Sequence, residues 1–165
     1  MKRLMLIRHG KSSWTLDAIG DLLRPLNSRG YSNLDVMVGR NILRDNTPDH
    51  ICCSHAVRAY STALGLCHGL SITIDKLSIC PWIYTAAANE FLSRMQSYWG
   101  DNELIWLIGH NPTLESLVAQ LVPNCSVKMP TLCCVLLEYD ETSGVWHLLD
   151  ADCPKSNFVF SQVSE

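Results

Sequence analysis

The sequence has no Cys-x-x-Cys, no surplus of positive charge and no apolar run long enough to serve as a secretory leader. Each absence excludes something. Without Cys-x-x-Cys there is no sign of a zinc knuckle or a thioredoxin-type redox pair. With 13 Lys and Arg against 16 Asp and Glu, the chain lacks the spread of cations that general nucleic-acid or anionic-membrane binding requires. Neither partner is expected, and any anion site must be local. The amino terminus opens basic and turns apolar, but Arg8 and His9 end that run before an h-region can form. The segment therefore reads as a first strand, and the protein as cytoplasmic. Internal repeats, linkers and low-complexity stretches are also missing.

What is present fits one α/β domain spanning residues 1–165. The chain is 47% hydrophobic and 18% charged, a globular balance at a length sufficient for a proper core. Its 8 cysteines include the neighbours Cys52-Cys53 and Cys133-Cys134 inside apolar, strand-like runs. Buried free thiols are the expectation, because free cysteine packs as a small hydrophobe and cytosolic thiols stay reduced.

Strand-like and helix-like stretches alternate. Leu4 to Arg8 reads as a strand, Ser28 to about Arg44 as one helix, and Asp49 to Cys53 as a second strand. Ser54 is placed to cap a helix running from His55 to about Cys67. Ser71 to Ile79 forms a third apolar run. Glu90 to Trp99 reads as a helix closed by Gly100, Glu103 to Ile108 as a central strand, and Pro112 to about Leu121 as a helix. Thr131 to Tyr139 and Val145 to Leu149, joined by Asp140 to Gly144, predict a terminal hairpin. This alternation predicts a three-layer α/β sandwich with a largely parallel central sheet. Such sheets bind ligands beyond the carboxyl ends of their strands.

Two histidines occupy such ends: His9 after the first strand and His110 after Leu104 to Gly109. Arg8 adjoins His9, and Arg58 falls in the first turn of the helix after Ser54, so its side chain leans back toward the same rim. Two arginines and two imidazoles suit a phosphoryl group. Guanidinium groups present paired donors to its oxygens, and a neutral imidazole attacks phosphorus to give a phosphoramidate that water hydrolyses. A protonated His110 would then stabilise the equatorial oxygens. The rival reading makes His9, His110 and His55 metal ligands. It conflicts with the two arginines, which would repel a divalent cation, and no carboxylate lies near either motif in sequence. No metal and no cofactor are expected.

Four ordered blocks resemble the histidine phosphatase superfamily, most nearly its SixA-type phosphohistidine phosphatases. They are Leu6-Ile7-Arg8-His9-Gly10-Lys11-Ser12-Ser13-Trp14, Arg24-Pro25-Leu26-Asn27-Ser28-Arg29-Gly30, Cys53-Ser54-His55-Ala56-Val57-Arg58-Ala59, and Leu107-Ile108-Gly109-His110-Asn111-Pro112. The resemblance implies a phosphoglycerate mutase-like fold, His9 as the phosphorylated nucleophile, Arg8 and Arg58 as the phosphate clamp, and His110 completing the pocket. Arg24 is either a substrate contact or the partner of an ion pair that holds the loop after the first strand.

The chain also departs from that family. Many relatives carry Pro where this chain has His55, and an acidic residue where it has Thr85. The leaving group is thus left without an evident proton donor. His55 is a candidate substitute and also reads as a surface residue at a helix start; Glu90, Asp17 and Asp21 are weaker candidates because nothing in their spacing aims them at the pocket. An imidazole leaves phosphohistidine far more readily than an alkoxide leaves an ester, so the missing acid points to a phosphohistidine-bearing protein as substrate. A small phosphorylated substrate, mutase chemistry and a non-catalytic phosphoprotein reader are the alternatives. Short connections predict an open, shallow pocket. Trp14 and Trp82 either rim the pocket or pack in the core, and core packing is the expectation for each. Nothing in the sequence sets an oligomeric state or a role for Lys11.

Overall fold

The structure is a computed structural model that describes residues 1–15, 18–155 and 160–162, the last three as backbone. Asp17 lies outside the described residues. A six-stranded sheet forms the middle layer, built from β1 (Lys2–Arg8), β2 (His50–Cys53), β3 (Leu77–Ile79), β4 (Leu104–Gly109), β6 (Cys134–Asp140) and β7 (Val145–Asp152); β5 (Cys125–Val127) instead pairs with β8 (Phe160–Gln162). The strand order is β3-β2-β4-β1-β6-β7. Strands β3, β2, β4 and β1 run parallel, while β6 and β7 close the sheet as an antiparallel hairpin.

Both faces of the sheet are covered, and the sequence alternation assigns each residue to one of them. Leu4 and Leu6 of β1, with Ile105 and Leu107 of β4, pack against α4 (Trp82–Thr85), α5 (Phe91–Trp99) and α6 (Thr113–Leu121) through Ile83, Phe91, Met95, Leu114 and Val118. Met5, Ile7, Trp106 and Ile108 face the other layer, where α1 (Ser28–Met37), α2 (Asn41–Arg44) and α3 (Val57–Leu70) contribute Leu34, Met37, Leu43, Ala63 and Leu66. Burying a Leu or Ile of this kind stabilises the fold by about 1.5–3 kcal/mol. Every residue of β4 is buried, as expected of a strand covered on both sides. The fold is a three-layer α/β sandwich, as expected.

The 8 cysteines are all buried and unpaired. Cys52 and Cys53 explain why adjacency makes no bridge, since consecutive strand residues point to opposite faces, one into each core.

Three expectations change. The helix predicted over Ser28 to Arg44 is two helices, interrupted at residues 38–40, where Gly39 lacks a side chain to hold the helix and Arg40 turns extended (φ −84°, ψ 138°) to start α2. The apolar spacing runs through the break because Ile42 and Leu43 are buried on the same layer as Leu34 and Met37. Ser54 does not cap α3: its backbone N–H still continues the strand by donating to Ile108 O at 3.0 Å, and the cap position falls on Ala56. Trp14 is 70% exposed rather than packed, with the Arg24 guanidinium 3.3 Å above its ring. Trp82 does pack, edge-on against Phe91. No helix among the described residues is long and apolar enough to cross a membrane.

Candidate active site

Strands β1 and β4 lie side by side in register, Arg8 opposite Gly109. The residue after each strand is therefore brought to the same place. His9 N donates to Gly109 O at 3.1 Å, and the His9 and His110 rings stand 5.1 Å apart. A Cβ at position 109 would meet the Ile83 side chain at 2.9 Å; glycine there lets α4 close over the strand end.

His9 is 7% exposed. Its Nδ1 lies 2.7 Å from Gly10 O. A carbonyl only accepts, so Nδ1 carries the proton and Nε2 carries the lone pair. Arg58 Nε donates toward that Nε2 at 3.4 Å. Burial, aided by His110, Arg58 and Arg8, pushes the His9 pKa down to about 3, against the pull of the Gly10 carbonyl. At neutral pH the ring is neutral, its tautomer fixed and its Nε2 lone pair free.

His110 is held by complementary bonds. Its Nε2 is 2.7 Å from Ser54 Oγ, and Arg58 Nη2 approaches its Nδ1 at 3.5 Å. Because the guanidinium has only donors, Nδ1 accepts and Nε2–H donates to Ser54. Burial first, then the positive charge of Arg58, lowers the His110 pKa to about 4. At neutral pH His110 is thus neutral, and the charge of an arriving phosphate dianion is what would favour its protonation.

Arg58, on the first turn of α3, is nearly buried and its guanidinium spans the site. Its Nη1 donates to Asp21 O at 2.7 Å and its Nη2 to Asp21 Oδ2 at 3.0 Å. Arg8 donates from Nη1 to Met129 O at 3.0 Å, while its Nε has no protein partner. Burial lowers its pKa and Glu115 opposes that shift. Thr62 ties the floor together, its hydroxyl donating to Arg58 O at 2.7 Å and accepting from Gly10 N at 3.0 Å.

Of the sequence candidates, His9, His110, Arg8 and Arg58 are brought together. Arg24 follows its structural alternative: it donates to Asp21 Oδ1 at 3.0 Å and to Ser13 O at 3.4 Å, bracing the loop after β1. His55 precedes the helix rather than opening it, and its ring stands edge-on to Tyr84 at 5.6 Å. Glu90 turns away and accepts from Ala87 N at 2.9 Å. Thr85 is exposed.

Asp21 was undervalued. It accepts from Arg24, Arg58 and, at 2.6 Å, from Tyr84 Oη, and Tyr84 also packs edge-on to His110 at 5.4 Å. The hydrogen bond from Tyr84 and the charge of Arg58 hold the Asp21 pKa down at about 2. The three-residue spacing of Asp21 and Arg24, an ion-pair spacing, was the available signal. Among the described residues no three His, Cys, Asp or Glu side chains are grouped to hold a metal ion.

Residues 4–78 match the histidine phosphatase superfamily, branch 1. That span takes in three of the four sequence blocks and ends before the fourth, at residues 107–112. Among solved structures, the protein histidine phosphatase SixA complexed with tungstate superimposes with a TM-score of 0.80 at 21% identity, covering 92% of this chain and 97% of that one. A proposed phosphohistidine phosphatase SixA from Agrobacterium tumefaciens gives 0.79 at 24% identity, covering 93% and 99%. Alpha-ribazole phosphatase from Shigella flexneri gives 0.68 at 19% identity, covering 92% and 96%. At these identities the likeness is one of fold. No curated protein matches the sequence.

Proposed function

We propose that this chain is a metal-independent phosphatase that takes the phosphoryl group of phosphohistidine in a protein onto His9 and then releases it to water. The observation that carries the reading is the fixed tautomer of His9: Nδ1–H bound to Gly10 O, with the free Nε2 facing Arg58 and His110.

In the first step Nε2 attacks phosphorus in line, the bond from phosphorus to the substrate imidazole breaks, and its electron pair leaves with that ring, which departs as neutral imidazole because its other nitrogen already carries a proton. Arg8, Arg58 and a His110 protonated in response to the phosphate charge stabilise the spreading charge on the phosphoryl oxygens. The positive charge formed on phosphorylated His9 rests on the Gly10 carbonyl through Nδ1–H. In the second step water attacks phosphorus, the pair returns to Nε2, and inorganic phosphate departs with the water proton.

The substrate assignment rests on the want of an evident proton donor among the described residues. Asp21 is bound by Arg24, Arg58 and Tyr84 with a pKa near 2, so it holds no proton to give. Imidazole as leaving group tolerates this, while an alkoxide does not. The SixA likeness supports the same substrate class, and the alpha-ribazole phosphatase likeness keeps small phosphate esters as the comparison to run.

The test is release of phosphate from a phosphohistidine-bearing phosphotransfer domain in the presence of a chelator, for the wild type and His9→Ala. Wild-type release with loss of about 10⁴-fold in the variant is expected. Unchanged release from His9→Ala overturns the mechanism; binding without release in the wild type identifies a reader, and faster release from a small ester identifies a metabolite phosphatase.

A further inference from the structure

A second cavity, of about 420 Å³, opens beside the candidate active site and is lined by Arg8, Lys11, Arg29, Asn33, Pro130, Thr131, Cys153, Pro154 and Lys155. Among the described residues its charged lining is entirely cationic: Arg8, Lys11, Arg29 and Lys155, without a carboxylate. In a chain whose formal net charge is -3, such a cluster does not arise from a general excess of base. Holding like charges around one hollow is unfavourable unless an anion joins them.

The cations come from separate segments that the fold ties to the strand end bearing His9. Lys11 follows His9 in the loop after β1, and its carbonyl accepts from Asn27 N at 3.0 Å, next to the start of α1 that supplies Arg29. The segment at 130–132 is fastened by Leu132 N, which donates to both Arg8 O and His9 O at 3.1 Å. Leu132 takes a left-handed φ of 62° to do so, a conformation a β-facing leucine adopts only when its surroundings impose it. Carboxylates of the flanking segments are engaged elsewhere. Asp152 pairs with Arg40 at 3.2 Å, and Glu115 accepts from Met129 N at 2.8 Å and Asn111 Nδ2 at 3.0 Å. Among the described residues Lys11, Arg29 and Lys155 make no ion pair.

Arg8 belongs to both places. It lines this cavity, and its charge acts on both His9 and His110. We propose that the cavity is a second oxyanion subsite, which takes a carboxylate or phosphate carried by the same substrate whose phosphoryl group sits over His9. The inference rests on the phosphatase reading and narrows its substrates to those with two anionic groups, one within reach of each end of Arg8. For a phosphoprotein the second anion is an acidic side chain near the phosphohistidine; for a small molecule it is a second phosphate.

Two substrate pairs separate these sources: phosphohistidine peptides with Glu or Gln flanking the phosphorylated residue, and butane-1,4-diol bisphosphate against its monophosphate. The variant combines Lys11→Gln, Arg29→Gln and Lys155→Gln, leaving Arg8 in place. The wild type prefers the doubly anionic member of at least one pair by about tenfold in kcat/KM, carried by KM and eroded by salt. The variant loses that preference while its rate on p-nitrophenyl phosphate, with one anionic group, stays within about twofold. No preference in either pair, or a preference the variant retains, overturns the subsite. Calorimetric binding of the bisphosphate to His9→Ala, with and without the three substitutions, stands apart from turnover. If no substrate is hydrolysed but the substitutions weaken binding about tenfold, the phosphatase reading fails and the subsite stands.

Discussion

Asp21 and Arg58 hold one another twice, through the Asp21 carbonyl at 2.7 Å and its carboxylate at 3.0 Å. The guanidinium shared by His9 and His110 therefore already faces an anion. Asp21 both aims Arg58 and opposes the negative charge of an arriving phosphoryl group. Asp21→Asn keeps the carbonyl contact and removes the charge. Inorganic phosphate is then expected to inhibit at concentrations about three- to fivefold lower than in the wild type. Inhibition measured as a function of phosphate decides it; weaker inhibition in the variant would mean that aiming Arg58 outweighs the charge.

Acid should unfold this protein through its two buried imidazoles. Their folded pKa values, about 3 for His9 and about 4 for His110, lie below the ordinary 6.5. Between those values the unfolded chain binds more protons, so the stabilisation from neutral imidazoles is complete above 6.5 and drains away as pH falls toward 4 and 3. Asp21, held near 2 against an ordinary 3.8, adds a loss only below 3.8. Thermal melts at stepped pH should show Tm falling from about pH 6.5 downward, with a shallower fall in His9→Asn/His110→Asn. Identical slopes in the two proteins would remove the histidines as the cause.

The pairing of His9 with His110 was legible because each ends an apolar run, and parallel strands in one sheet bring such ends together. Arg58 was legible from helix geometry. Asp21 was not, because its place depends on how the loop between β1 and α1 folds back: Ser13 N reaches Pro25 O at 2.9 Å and Arg24 braces Asp21, contacts with no periodic trace. Ser54 shows the opposite failure, a correct residue in the wrong role. A serine before a helix suggests a cap, but one more residue of strand pairing moved the helix start, and the hydroxyl went to His110 and to Ala56 N at 3.2 Å. The doublet at residues 52 and 53 needed only the strand assignment to be read as two separate buried thiols.

That role for Ser54 has a kinetic consequence. With Ser54→Ala, His110 Nε2–H loses its acceptor and the ring is free to turn or change tautomer. The expected loss is about tenfold in kcat with KM little altered, since a hydrogen bond that orients an imidazole acts mainly at the transition state. Ser54→Thr, which retains the hydroxyl, should recover most of the rate if the pocket accepts its methyl. A fall in KM-borne binding alone would place Ser54 in substrate contact instead.

Thr62 is buried and bridges two parts of the floor, donating to Arg58 O at 2.7 Å and accepting from Gly10 N at 3.0 Å. Thr62→Val keeps the volume but removes the acceptor, leaving the Gly10 amide buried without a partner, at a cost of about 1–3 kcal/mol in stability. Chemical denaturation measures that directly. The same amide belongs to the residue whose carbonyl fixes the His9 tautomer at 2.7 Å, so a shift of the Gly10 peptide carries to the nucleophile. The variant should therefore lose activity at temperatures well below its Tm, about fivefold or more in kcat, whereas Thr62→Ser, with the hydroxyl restored, should regain the rate while remaining less stable than the wild type. Full activity in folded Thr62→Val would show that the His9 tautomer is held without help from the Gly10 amide.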